Sequence, residues 1–329
     1  MKLFVYNLRD YDEKVYYDQF CAQYGYEYAA TADYPSLENA GLAAGCQALS
    51  IIVCKMTPAM LERFAALGIR YIITRSIGAE HLDAAKANAL GMRISNVSYT
   101  PDAVANFTVA LMLMACRRIP YILQRTALQD YSLPGKMGRE LSRCTVGVIG
   151  AGRIGAAVLR RLSGFGCRLL AYDPFPNPAA APAAQFVSLP ELYAQSDLIS
   201  LHIPAAPQNH HLIDAAALRQ MRPGTILVNA ARGDLIDTAA LIDALESGLL
   251  SGAALDVLEN EHGLCYLNRS GETLPNRELA LLRAMPNVIL TPHVAFYTDE
   301  VISNMIESTL QSLHAFENGQ PNLLEIKAG

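Results

Sequence analysis

The 329-residue chain is short of several things, and each shortage closes off a class of function. It has no cluster of lysine and arginine: 26 basic residues are spread among 31 acidic ones, for a net charge of −5. Nucleic acids and anionic membranes are recognised by a basic face, so neither is expected as a partner. Charged residues make up only 17% of the chain and hydrophobic ones 52%, the composition of a soluble globular protein rather than a disordered one. The longest apolar helix, VANFTVALMLMAC from Val104 to Cys116, is too short to span a bilayer and is interrupted by Asn106 and Thr108. It reads as a buried helix at a domain or subunit interface. The opening MKLFVYNLRD goes straight into a strand-like run, with no signal-peptide pattern. The cysteines (Cys21, Cys46, Cys54, Cys116, Cys144, Cys167 and Cys265) are odd in number and never form a C-x-x-C pair. Reduced, packed thiols and a cytoplasmic location are therefore expected, with no disulfide framework and no metal site.

What the chain does have is a complete phosphate-binding unit between Thr145 and Asp173, TVGVIGAGRIGAAVLRRLSGFGCRLLAYD. An apolar run, Val146 to Ile149, predicts a strand buried on both faces. Gly150, Gly152 and Gly155 follow in the spacing G-x-G-x-x-G, leading into a helical pattern at Ile154, Val158 and Leu162. The first glycine permits the turn, the second admits a pyrophosphate to bare backbone, and the third lets helix and strand pack closely. The helix start, from Arg153, adds unpaired N–H groups and the positive end of a dipole. A second strand-like run, Arg168 to Tyr172, ends on Asp173, where a carboxylate would accept from ribose hydroxyls. That acid repels a 2′-phosphate, and PFPNPAAAPAA after it carries no basic residue to offset the repulsion. The expected cofactor is NAD rather than NADP.

Around this unit the chain alternates strand and helix signals, which predicts parallel sheets covered by helices. Strands are expected at Leu3–Tyr6, Ala48–Val53 and Tyr71–Thr74, with a helix at Pro58–Leu67. The first hundred residues contain no glycine fingerprint. The segment TRSIGAEHLD ends a strand in a turn where the N–H groups of Ile77 and Gly78 could hold a small anion, while His81 reads as a surface or capping histidine. Lys55 reads as a solvated surface lysine. NVSYTP, from Asn96 to Pro101, breaks the chain before the long helix, and a further helix is expected at Pro120–Tyr131. Beyond Asp173, strands are expected at Leu198–Ile203, leading to His202 and Pro204, and at Thr225–Asn229, Gly252–Leu255 and Val288–Leu290. Helices are expected at Thr238–Ser247 and Thr298–Phe316, the last able to return to the first domain.

Polar residues stand where these strands end. They are Arg232 in NAARGDLID, Asp256 with Glu259 and Glu261 in ALDVLENE, and His293 in TPHVAFYT. Reducing a ketone by hydride transfer calls for a proton donor at the carbonyl oxygen, a cation for the carbonyl and a neighbouring carboxylate, and a dry site. A histidine suits the first task and an arginine fork the second. A nearby carboxylate would orient the imidazole. Taken singly, each could equally be a cap, a turn residue or a solvated acid.

Together, VGVIGAGRIG, NAARGDLID, ALDVLENE and TPHVAFYT resemble the NAD-dependent D-2-hydroxyacid dehydrogenase family, over nearly the whole chain. TRSIGAEHLD and YTPDAVANFTVALMLMA look most like its D-lactate dehydrogenases, including those of vancomycin-resistance clusters. The resemblance implies two doubly wound parallel-sheet domains. A flavodoxin-like substrate domain (residues 1–100 plus 297–329) would carry an inserted Rossmann domain (101–296), usually in a homodimer. It implies proton transfer at His293 with Glu261 as partner, and Arg232 as anchor for the substrate's carbonyl and carboxylate. Asp256 would contact the nicotinamide carboxamide. Arg153, Ile154, His202 and Pro204 would join Gly150, Gly152, Gly155 and Asp173 around NAD. Ile77, Gly78 and Tyr99 would hold the substrate, and Phe296 would bound its side chain. The chain departs from the pattern at three places: Asn106 replaces a common acid, Glu80-His81 a common Asp-Asn or Asp-His pair, and His262 is unusual beside Glu261. The implied reaction is reduction of a small 2-oxo acid, pyruvate first, with 2-hydroxyglutarate or 2-hydroxyisocaproate chemistry as alternatives. An NADH-sensing protein of the corepressor kind is the rival from another class, although the chain has neither a long disordered tail nor a basic face.

Overall fold

The computed structural model describes residues 1–261 and 263–327, so His262 lies outside the described residues. The strands along the chain are β1 (Lys2–Val5), β2 (Glu27–Ala30), β3 (Ala48–Ile51), β4 (Tyr71–Thr74), β5 (Arg93–Ser95), β6 (Thr145–Ile149) and β7 (Arg168–Tyr172). They continue with β8 (Gln185–Phe186), β9 (Leu198–Leu201), β10 (Thr225–Asn229), β11 (Leu250–Leu255), β12 (Val288–Leu290) and β13 (Glu325–Ile326). The chain divides into two compact units: Met1–Thr100 with the segment from Tyr297 onward, and Pro101–Phe296.

In the first unit the sheet order is β13-β5-β4-β3-β1-β2, parallel except for β13, which runs antiparallel to β5. The parallel part is the doubly wound order 2-1-3-4-5, as the resemblance implies. Phe4, Leu49, Ile51, Ile72 and Ile94 pack from one face onto the helix Pro58–Ala66. Thr57 caps that helix, accepting from Met60 N, with Pro58 at its first position. The helix Asp299–Glu317 lies on β4 and on the helix Lys14–Tyr24, so the C-terminal segment covers this sheet.

In the second unit the order is β12-β11-β10-β9-β6-β7-β8, all parallel. Alternate residues of each strand feed two different cores. Val146, Val148, Ile226, Val228 and Ala254 face the helices Asp102–Cys116 and Arg153–Leu162. Ile149, Leu201, Leu227, Ala253 and Leu255 face Leu218 of the helix Ala215–Gln220 and Leu241 of the helix Thr238–Glu246. A strand covered on both sides must be apolar throughout, which is why these runs show no alternation. Among the described residues no single helix is long and apolar enough to cross a membrane.

Candidate active site

In the second unit the expected residues follow the carboxyl ends of six strands, the edge where open α/β sheets bind ligands. Gly150 follows β6, Asp173 follows β7, His202 follows β9, Arg232 stands beyond β10, Asp256 follows β11, and His293 stands beyond β12.

The glycine turn is built for close approach. A side chain at Gly155 would collide with the Gly150 carbonyl oxygen, and Gly150 itself has φ of +91°. A Cβ at Gly152 would meet nothing within 4 Å, so that backbone faces open space, as a pyrophosphate site requires. The Asp173 carboxylate accepts from Ala151 N at 2.8 Å and Phe175 N at 2.9 Å, tying the turn to the end of β7. These residues fit a bound dinucleotide. Arg153 and Ile154 open the helix Arg153–Leu162. His202 Nε2 lies 2.9 Å from Ser200 Oγ, and burial lowers the ring to about 4, which keeps it neutral near neutral pH. The Pro204 carbonyl accepts from Asn209 Nδ2 at 3.0 Å.

His293 sits on a left-handed backbone, φ +57°, a conformation that costs a non-glycine residue about 1 kcal/mol or more and must be held by its surroundings. Asp256, 1% exposed, does the holding. Its carbonyl accepts from His293 N at 2.7 Å. Its carboxylate accepts from Thr291 Oγ1 at 2.6 Å, Val294 N at 2.9 Å and Ala295 N at 2.8 Å. Asp256 is thus a clamp on the loop that carries the histidine, a job the sequence pattern did not disclose.

Among the acids, residue types alone leave the choice open, and Glu261, the partner implied by the resemblance, is the one beside the imidazole. Glu261 Oε1 lies 2.6 Å from His293 Nδ1, and Oε2 accepts from Leu258 N at 3.0 Å. Partial burial works against the Glu261 charge, but the His293 hydrogen bond and charge outweigh it and hold the carboxyl below its usual range. Glu259 goes elsewhere, 2.7 Å from His211 Nε2 and bonded to Thr238 Oγ1 at 2.9 Å. Gly233 lets these loops meet, since a Cβ there would strike the Leu258 and Glu259 backbone. Arg232, beside it, donates from Nη1 to the Ala231 carbonyl at 2.8 Å.

Two neighbours were missed by sequence reasoning. The Tyr266 hydroxyl donates to the His293 carbonyl at 3.1 Å, and its ring meets Phe296 edge-on at 6.1 Å. Cys265 lies against Glu261, its thiol pushed up to about 12 by burial and by the Glu261 charge. Among the described residues, both belong to a stretch without helix or strand between β11 and the helix Arg277–Ala284, where no periodicity could have marked them.

The remaining residues belong to the first unit. Asn96 Nδ2 donates to the Ile77 carbonyl at 2.6 Å, which turns the Gly78 N–H of the same peptide the opposite way. Ser76 Oγ donates to the Gly78 carbonyl at 2.6 Å. Tyr99 is half-buried, four residues past β5. His81 is not a surface cap: its Nε2 lies 2.9 Å from Thr74 Oγ1 at the end of β4. Lys55 is exposed. Asn106, in the second unit, serves as a partner of Arg161, which also reaches Asp102 at 2.5 Å.

Residues 109–295 match the model of the D-isomer specific 2-hydroxyacid dehydrogenase family, NAD binding domain. The chain is 40% identical to an aromatic 2-oxoacid reductase of Clostridium sporogenes over 322 residues, 96% of each chain. It is 39% identical to a D-lactate dehydrogenase of Escherichia coli, covering 98% of this chain and 100% of the other. Among solved structures it resembles a D-lactate dehydrogenase of Treponema pallidum, with a TM-score of 0.90, 33% identity and 100% of both chains covered.

Proposed function

From a chain that belongs to the D-isomer specific 2-hydroxyacid dehydrogenase family, and so is an NAD-dependent oxidoreductase, we infer reduction of a small 2-oxo acid, pyruvate to D-lactate before others. The observation that carries this reading is the His293–Glu261 pair at 2.6 Å, on a turn clamped by Asp256 at the strand ends of a complete dinucleotide unit. NADH, when bound, supplies the hydride. With Nδ1 donating to Glu261, the imidazole presents Nε2 to the substrate and delivers its proton to the carbonyl oxygen. Glu261 orients the ring and balances its charge. The Arg232 guanidinium polarises the carbonyl and pairs with the substrate carboxylate, as preorganised cations do for developing oxyanions. In the same reading the amides of Ile77 and Gly78 and the side chain of Tyr99 bind substrate.

The Gly150–Gly155 turn and Arg153 carry the pyrophosphate, Asp173 the ribose, and Ile154, His202 and Pro204 line the dinucleotide. Asp256 uses three of about four carboxylate acceptor positions on its own loop, leaving one for the nicotinamide amide. The free, scattered thiols support work in the cytoplasm. Leu123, Leu128, Tyr131, Leu133 and Met137 expose a run of apolar surface that favours a homodimer.

Phe296 and Tyr266 meet edge-on beside His293, and this aromatic wall favours a second reading, an aromatic 2-oxo acid. Following NADH absorbance with pyruvate, phenylpyruvate, 2-oxoisocaproate and 2-oxoglutarate separates these readings. The highest kcat/KM on pyruvate, with D-lactate formed, is the expected result. Tight NADH binding with no NADH oxidation by any of the four would favour a sensor instead.

A further inference from the structure

Cys265 adds a third donor beside the His293–Glu261 pair. One donor atom each from Glu261, Cys265 and His293 lie within 4.8 Å of one another, and all three residues are half-buried. Their origin explains why no C-x-x-C spacing announced them. Glu261 and Cys265 lie four residues apart, with Leu264 N donating to the Glu261 carbonyl at 3.0 Å, whereas His293 arrives from beyond β12. Around a tetrahedral zinc ion, donors about 2.0 to 2.3 Å from the metal stand roughly 3 to 4 Å apart. Small side-chain rotations would bring this trio to that spacing.

The donor set is selective. A thiolate, an imidazole and a carboxylate suit Zn²⁺ and disfavour Mg²⁺ or Ca²⁺, which take oxygen ligands. Two of the three are already held: Glu261 by Leu258 N at 3.0 Å, and the His293 backbone by the Asp256 carbonyl at 2.7 Å. Side-chain exposures of 26% for His293 and 22% for Glu261 leave a route from solvent.

We propose that Glu261, Cys265 and His293 form a reversible Zn²⁺ site whose filling stops the reaction. The ion takes a Glu261 carboxylate oxygen, Cys265 Sγ and His293 Nδ1, with water in the fourth position. The Sγ proton passes to solvent, the imidazole binds as the neutral ring with its one proton on Nε2 (the Nδ1 proton leaving only where the ring was doubly protonated), and nothing is oxidised or reduced. Because the ion replaces the Nδ1–Glu261 hydrogen bond, the imidazole is fixed in an orientation set by the metal and no longer serves the substrate. The inhibition arm rests on the reaction proposed above, but metal binding does not.

The test titrates Co²⁺ into the full chain without NADH or substrate, reading the thiolate-to-cobalt charge-transfer absorbance, followed by Zn²⁺ competition. One Co²⁺ per chain is expected, with a band that Zn²⁺ abolishes. Cys265→Ser and Cys265→Ala, each checked for folding by circular dichroism, should lose the band. They should also raise the Zn²⁺ concentration for half-inhibition of NADH oxidation by more than about tenfold, the least that losing even an outer-shell partner tends to cost a metal site. A chelator should restore wild-type turnover. Absence of the band in the wild type, or its persistence in both variants, would overturn the site. A chain that binds Co²⁺ through Cys265 yet oxidises no NADH would refute the reaction and keep the site.

Discussion

The two sheets share a winding plan, and each has a crevice where its strand order reverses, but the crevices are finished in opposite ways. In the first unit that point lies between β1 and β3. There Arg75, 1% exposed, fills the space from the end of β4. Its guanidinium donates to the carbonyls of Tyr6 at 3.1 Å and Asn7 at 2.9 Å, to Ser50 Oγ at 3.1 Å and to the buried Glu13 at 3.0 Å. In the second unit the reversal lies between β6 and β9, and the backbone there is the bare turn around Gly150 and Gly152. The same architecture therefore makes a closed end when a charged pair is folded inward, and a dinucleotide seat when glycine keeps side chains out.

The largest effect should come from opening the closed crevice. Arg75→Met strips buried Glu13 of its fully buried partner, leaving only Arg9 at 3.2 Å, and should lower stability by about 3–5 kcal/mol in denaturant titrations. The NADH dissociation constant should stay near the wild-type value, since the cofactor residues belong to the other unit. A matching loss of NADH affinity in a folded variant would undo the distinction between the two crevices.

A smaller effect belongs to the open crevice and depends on pH. Burial holds His202 at about 4, against an ordinary 6.5. Between those values the unfolded chain binds a proton that the folded chain refuses. Stability is therefore lost as pH falls from about 6.5 toward 4, by at most ~3 kcal/mol, reduced by whatever solvation the partly open ring retains. His202→Asn should flatten that slope in thermal unfolding followed across this range. An unchanged slope would locate the acid sensitivity elsewhere.

Smaller again is the change in cofactor choice. Asp173→Ser removes the charge opposing a 2′-phosphate and should shift the NADPH-to-NADH ratio of kcat/KM upward by about tenfold, ~1.4 kcal/mol. For the proposed homodimer through the exposed apolar run, Met137→Glu should shift the sedimentation profile toward monomer. A wild type that sediments as a monomer, or a dimer unmoved by the substitution, would contradict that contact.

The open crevice was far more legible in the sequence than the closed one. Its glycine turn, the strand Arg168–Tyr172 and the acid after it announce themselves within thirty or so neighbouring positions, and Thr225–Asn229 farther on is as plain, because buried parallel strands are continuous apolar runs. The pair of Arg75 and Glu13 joins residues 62 apart, and no local pattern encodes that. The strands β2, β5, β8 and β13 went unread for a related reason. They are only two to four residues long, and pairing with a neighbour rather than their own alternation makes them strands. At the site, residue types pointed to His293 and a carboxylate. Whether Glu259 or Glu261 faces the imidazole is decided by a loop with no periodicity, and so is the presence of Tyr266 and Cys265.

The central claim is that His293, steered by Glu261, is the proton donor. Single-turnover oxidation of NADH by pyruvate, measured in His293→Gln beside the wild type, tests it most directly. The account predicts a rate lower by about 100-fold or more, the usual scale of acid–base assistance, with the NADH dissociation constant unchanged. A folded His293→Gln protein turning over at near the wild-type rate would contradict it.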